Sequence, residues 1–114
     1  MTEREWCERI WPALVDRARS GHTINYKGLK ELVKFNGWQR TFSNCLGRIA
    51  NYCHSKEWPI ITVMVVNKTS GRPGNGIPFV DNFEAELEAV RDFPWHEQSA
   101  PLAEEFPESA CLNS

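Results

Sequence analysis

Helical spacing of bulky residues dominates the first half of this chain, and a β-branched run follows it. Trp6, Ile10 and Leu14 recur at i, i+4 and i+8, which places them on one stripe of an α-helix. Thr2 and Glu5 precede them as a T-x-x-E capping box, a pattern that satisfies the first free backbone N–H groups. The predicted helix runs to about Arg19, with a kink or restart near Pro12, because proline cannot donate to the helical ladder. SGHT, residues 20 to 23, ends it.

Asn25 is the expected N-cap of a second helix, YKGLKELVKF, with Tyr26, Leu29, Leu32 and Val33 inward and Gly37 as its stop. A third helix is predicted over residues 39 to 55, QRTFSNCLGRIANYCHS. Its apolar positions Phe42, Leu46, Ile49, Ala50 and Cys53 share one face, and Arg40, Ser43, Asn44, Gly47, Arg48 and Asn51 share the other.

Pro59 then drives Trp58 out of the helical region. IITVMVV is β-branched without polar alternation, which predicts a strand buried on both faces. The loop NKTSGRPGNG and a short IPFV strand would close a hairpin. Asp81 and Glu84 form another capping pair, opening a helix with Phe83, Leu87 and Val90 on one side. From His96 onward the chain is rich in Pro, Ser and Glu with weak periodicity, and a flexible acidic tail is expected. The predicted fold is α+β and winged-helix-like: three helices, a β-hairpin wing, a C-terminal helix and that tail. Residues 1–95 would form a single domain and 96–114 the tail. No internal repeat is present.

A chain of 114 residues has room for one domain, and its five tryptophans and six phenylalanines supply the bulk for its core. Trp38, Trp58 and Trp95 would serve either that core or an exposed stacking patch, with the core favoured because so small a domain needs the volume. No run approaches the ~18 apolar residues of a membrane span. The charged start, MTEREWCERI, lacks the form of a secretory signal, so a cytoplasmic protein is expected. Cys7, Cys45, Cys53 and Cys111 have no C-x-x-C spacing and read as reduced thiols. Cys53-His54 is a poor chelate, since neighbours on a helix point apart; no metal or other cofactor is expected.

The net charge of −2 conceals a division. Residues 1 to 80 hold 12 Lys and Arg against 6 Asp and Glu; residues 81 to 114 hold 1 against 9. A basic body with an acidic end suggests an anionic partner, or a tail that shields the body; solvated surface charge would leave the same pattern.

The third helix has the make-up of a recognition helix, with arginine suited to guanine edges, asparagine to adenine edges, and both to phosphate. Gly47 costs ~1 kcal/mol of helix stability relative to alanine, and would admit either a nucleic-acid backbone or a neighbouring helix. The loop is no nucleotide cradle, because a strand and not a helix N-terminus follows it. It is a hairpin turn, or a wing whose Lys68 and Arg72 reach phosphate or a minor groove. His22, His54 and His96 lie in separate segments without nucleophile or carboxylate partners, so catalysis is not expected. His54, near a helix C-terminus, suits the dipole when protonated.

Residues 23 to 76 resemble the winged-helix DNA-binding domain of alkylguanine-DNA alkyltransferases and alkyltransferase-like proteins. T-I-N-Y-K-G-L-K-E-L is similar to their T-x-Y-x-x-[IL]-A helix, C-L-G-R-I-A to their V-G-R-A-L segment, and W-P-I-I-T-V-M-V-V to their P-L-I-I-P-C-H-R-V-V. Arg48 falls on the arginine of V-G-R. No cysteine stands around Thr62, Val63 and Met64 to accept an alkyl group, so the resemblance implies a relative that binds without catalysis. The T-V-x-V-V-N-K-x-x-G-x-P-G-x-G string also resembles small uncharacterised bacterial and phage proteins.

The expected function is therefore non-catalytic binding of nucleic acid, double-stranded DNA in the first instance, by a small regulatory or accessory protein. Arg40, Ser43, Asn44, Arg48, Asn51, Lys68 and Arg72 would make the contacts, and Lys27, Lys30 and Lys34 would attract the backbone. The alternative is a protein-interaction module or inhibitor acting through its acidic tail and aromatic patch, a reading favoured by the pI of about 5.9.

Overall fold

The Thr2 hydroxyl accepts the Glu5 N–H at 3.1 Å, and the Glu5 carboxylate accepts the Thr2 N–H at 2.8 Å. The expected capping box thus opens the first helix of a computed structural model that describes residues 2–66, 80–98 and 100–106. Helix α1, Glu3–Ser20, buries Trp6, Cys7, Ile10, Trp11, Leu14 and Ala18. It continues through Pro12 without a restart. Pro12 is exposed, where water can reach the carbonyl that loses its donor. Gly21, left-handed at φ 77°, ends α1 by donating to the Arg17 and Ala18 carbonyls.

Strand β1, Ile24–Asn25, leads directly into α2, Tyr26–Val33. The Asn25 side chain caps α2 by accepting the Gly28 N–H at 2.6 Å, as its position predicted. The far end differs from expectation. Lys34, left-handed at φ 58°, terminates α2, and Leu32 is 54% exposed instead of inward. Leu29 and Val33, one turn apart, already take the core side of so short a helix. Gly37 does not stop the helix but serves the turn beyond it. A Cβ there would lie 2.8 Å from the Phe35 ring, so glycine lets the turn close over that ring.

Helix α3 spans Gln39–Ser55 and buries Phe42, Cys45, Ile49, Ala50, Tyr52 and Cys53, a wider face than the spacing indicated. The run expected to be a strand is a correction. Ile61–Met64 forms a 3₁₀ turn, and of this run Val65–Val66 pairs as a strand, β2. β2 pairs in parallel with β1, Ile24 opposite Val65 and Asn25 opposite Val66. Residues 60–66 are all buried, so the burial was legible and the conformation was not. An apolar run of that length does not distinguish the two. A two-residue partner also cannot satisfy a longer extended segment, whereas the turn is closed locally by Val63 N–H to the Ile60 carbonyl at 3.2 Å.

Helix α4, Phe83–Asp92, starts one residue later than the expected Asp81 box. Asn82 is the cap, accepting the Ala85 N–H at 3.0 Å. Val90 is buried, with Phe83 and Leu87 packed against the core. Glu86 accepts the Ile60 N–H at 2.7 Å and so ties α4 to the 3₁₀ turn.

The segment expected as a free tail from 96 is anchored to the core at two of its described residues. Pro101 and Phe106 are fully buried. Arg4 on α1 donates to the Phe106 carbonyl at 3.0 Å and the Glu104 carbonyl at 3.1 Å. Composition concealed this, because a strap needs only a few apolar anchors while its other residues stay polar. Residues 107–114 and the expected hairpin loop, with Lys68 and Arg72, lie outside the described residues.

At the centre Trp11 meets Tyr52, Trp95, Phe106 and Trp58 with ring centroids 5.7–6.4 Å apart, and Trp95 donates its indole N–H to the Val90 carbonyl at 2.8 Å. The result is a small, mostly helical α+β domain. Among the described residues no helix is long and apolar enough to cross a membrane.

Candidate nucleic-acid interface

The expected contact residues on α3 fall into two groups according to where they sit along the helix. Asn44 and Arg48 face α1. Arg48 donates through Nε and Nη2 to Glu3 Oε1 at 3.0 and 2.8 Å, and Asn44 donates through Nδ2 to Glu3 Oε2 at 3.0 Å. Both oxygens of one carboxylate are thereby held from α3, and the Cys45 thiol donates to the Glu3 carbonyl at 3.5 Å. The Arg48 side chain is only 12% exposed. The Asn44 hydrogen bond, aided by Arg48, holds the Glu3 carboxyl below the usual carboxylate range against an opposing effect of burial. These residues join the first turn of α1 to the middle of α3. Asn51 and Gly47 are half-buried.

The arrangement has a pH signature. A carboxyl whose folded pKa is depressed adds stability above its ordinary value, 4.5 here, and that stability is lost as pH falls through the folded pKa. Glu3→Gln is expected to lower stability at pH 7 by about 1.5–3 kcal/mol, the range for hydrogen bonds to a charged group. Urea unfolding at pH 7 and pH 3 checks this: the gap between wild type and variant should shrink at pH 3.

Arg40 and Ser43 form the second group, exposed near the start of α3. That start is unusual in this molecule. α1, α2 and α4 are capped by Thr2, Asn25 and Asn82, while α3 begins at Trp38 with no side-chain cap and no acidic residue in its first turn. Among the described residues, the positive dipole end of α3 thus has neither a side-chain cap nor an acidic residue in its first turn. Lys30 on α2 donates to Gln39 Oε1, and Gln39 donates to Ser43 Oγ at 3.3 Å. This polar chain lies along the surface at the start of α3. The Lys30 ammonium also stands 5.2 Å over the Phe42 ring. Lys27 and Lys34 are exposed, and residues 26 to 55 carry five Lys and Arg against one Glu.

Sequence reasoning left Trp38 and Gln39 out of the site and gave Lys30 only a general role. A signal for the open helix start was present: residue 38 is none of the usual capping types. The aromatic question divides three ways. Trp95 is buried, Trp58 packs half-buried against the core, and Trp38 is 83% exposed.

Other candidate chemistry is dispersed. His22, His54 and His96 are exposed. Cys53 is buried, which pushes its thiol up to about 12. Cys7 and Cys45 are also buried free thiols. The hydrogen bond with Cys45, followed by burial, raises the Cys7 thiol far above its usual value. Neither Cys7 nor Cys53 is poised as a thiolate nucleophile. No family model, curated protein or solved structure matches this chain.

Proposed function

We propose that this protein is a non-catalytic nucleic-acid-binding domain of winged-helix-like plan, presenting the first half of α3 to double-stranded DNA. The observation that carries this reading is the uncapped, acid-free first turn of α3, where Arg40 and Ser43 are exposed and Gln39 links Ser43 to Lys30 of α2. Supporting it is the element order. A short strand separates the first two helices, and residues 34 to 38 turn α2 into α3, as in helix-turn-helix domains that read DNA with the start of their second helix. Arg40 would pair with a guanine edge or a phosphate, and Ser43 would bond to either. Lys27, Lys30 and Lys34 would track the backbone. Asn44 and Arg48 would act by holding α1 and α3 in the shape that presents this turn. Lys68 and Arg72, outside the described residues, would add phosphate contacts.

Fluorescence anisotropy with a labelled duplex across salt concentrations tests the proposal. Log affinity should fall linearly with log salt. Arg40→Ala should weaken binding by about 5- to 100-fold, the range of one good arginine contact, with unfolding stability unchanged. Failure of the intact chain to bind duplex at low salt would sink the reading and favour a protein partner, to be sought by pull-down.

A further inference from the structure

Trp38 is the most exposed large apolar side chain among the described residues, 83% accessible, while Trp6, Trp11 and Trp95 are buried and Trp58 half-buried. It does not sit on a loose loop. Its carbonyl accepts the Phe42 N–H at 3.1 Å and so belongs to the first turn of α3. Beneath the preceding turn, Phe35 packs edge-on against Trp6 and Phe42, with ring centroids 4.8 and 5.0 Å away. Gly37 permits that closure. The indole stands exposed at the start of α3, next in sequence to Gln39, whose side chain accepts from Lys30, and two positions before the exposed Arg40.

An exposed indole at a helix start that also carries Arg40 and the Lys30–Gln39 pair suits a particular form of nucleic acid. In a duplex, the faces of interior bases are covered by their neighbours. A base that has left the stack can lie on an indole while the cations hold its backbone. Asn44 and Arg48, two side chains suited to base edges, are engaged with Glu3, so edge readout along α3 is thin. Stacking, which accepts any base, needs neither of them.

We propose that Trp38 is a stacking platform for an unpaired base, and that the preferred ligand is a duplex ending in a single-stranded overhang. This deepens the DNA reading and rests on it. The test compares two labelled probes on the full chain, a blunt duplex and the same duplex with a short single-stranded overhang. Wild type should bind the overhang probe more tightly by about 5- to 100-fold, the value of one stacked base. Trp38→Ala should erase that preference, weakening binding of the overhang probe far more than binding of the blunt duplex, whereas Trp38→Phe should retain much of it. An unchanged unfolding midpoint for Trp38→Ala would confirm an intact fold, as expected for so exposed a residue.

Equal binding of the two probes by wild type, or equal loss on both in Trp38→Ala, would overturn the inference while leaving duplex binding standing. No binding of either probe at low salt would remove both readings. Binding to anionic phospholipid vesicles that is lost in Trp38→Ala, with no overhang preference, would overturn the inference in favour of a membrane surface.

Discussion

Trp11→Ala is expected to destabilise the domain by about 3–5 kcal/mol, the range for removing a large buried aromatic side chain. The site justifies the upper half of that range. Trp11 is almost fully buried and is the common partner of Tyr52, Trp58, Trp95 and Phe106. Those rings come from α3, the residues after it, the turn after α4 and the C-terminal strap, so one truncation loosens four segments together. Aromatic pairs add about 0.5–1.5 kcal/mol each beyond their buried area. Domains of this size have about 5–15 kcal/mol in total, so the variant should unfold at a much lower urea concentration. Trp11→Phe should recover part of the loss by keeping a ring among the others. A Trp11→Ala midpoint close to that of wild type would show that the cluster does not support the fold.

Phe106→Ala is the second large effect, again about 3–5 kcal/mol. Phe106 is 1% exposed, 5.3 Å from Tyr52 and 6.3 Å from Trp11 between ring centroids, and its carbonyl is held by Arg4. Removing residues 100–114 should be at least as damaging, because it takes Pro101 along with Phe106. Urea unfolding followed by far-ultraviolet circular dichroism measures both variants. Near-wild-type stability in the Phe106 variant would mean that the strap contributes little to the folded state. A truncation designed to test whether the acidic end shields the basic face must therefore spare residue 106.

The helices were largely legible because their signals are local. Thr2 with Glu5, Asn25 with Gly28, and the stripes through Ile10 and Ile49 each depend on residues within one or two turns. Helix α3 matched its expected bounds, and α2 and α4 shifted only at a cap or an end. The candidate site was legible only in part. Arg40 and Ser43 are exposed, as a contact surface requires, whereas Arg48 and Asn44 share the carboxylate of Glu3, which is more than 40 positions away in sequence. No periodicity along α3 could announce that partner. Trp38 reversed the ordinary expectation for tryptophan because Phe35, not the indole, fills the space beneath the turn.

What the sequence by itself determined was helix position, capping and which face of each helix is apolar, since nearest-neighbour sterics and local hydrogen bonds decide these. Tertiary structure decided the rest. It made residues 61–64 a turn and not a strand, drew Phe106 into the core, assigned Arg48 to Glu3 and left Trp38 in solvent. In each case the outcome depends on which distant segment fills the adjoining space or supplies the hydrogen-bond partner, and only the packed chain brings those segments together.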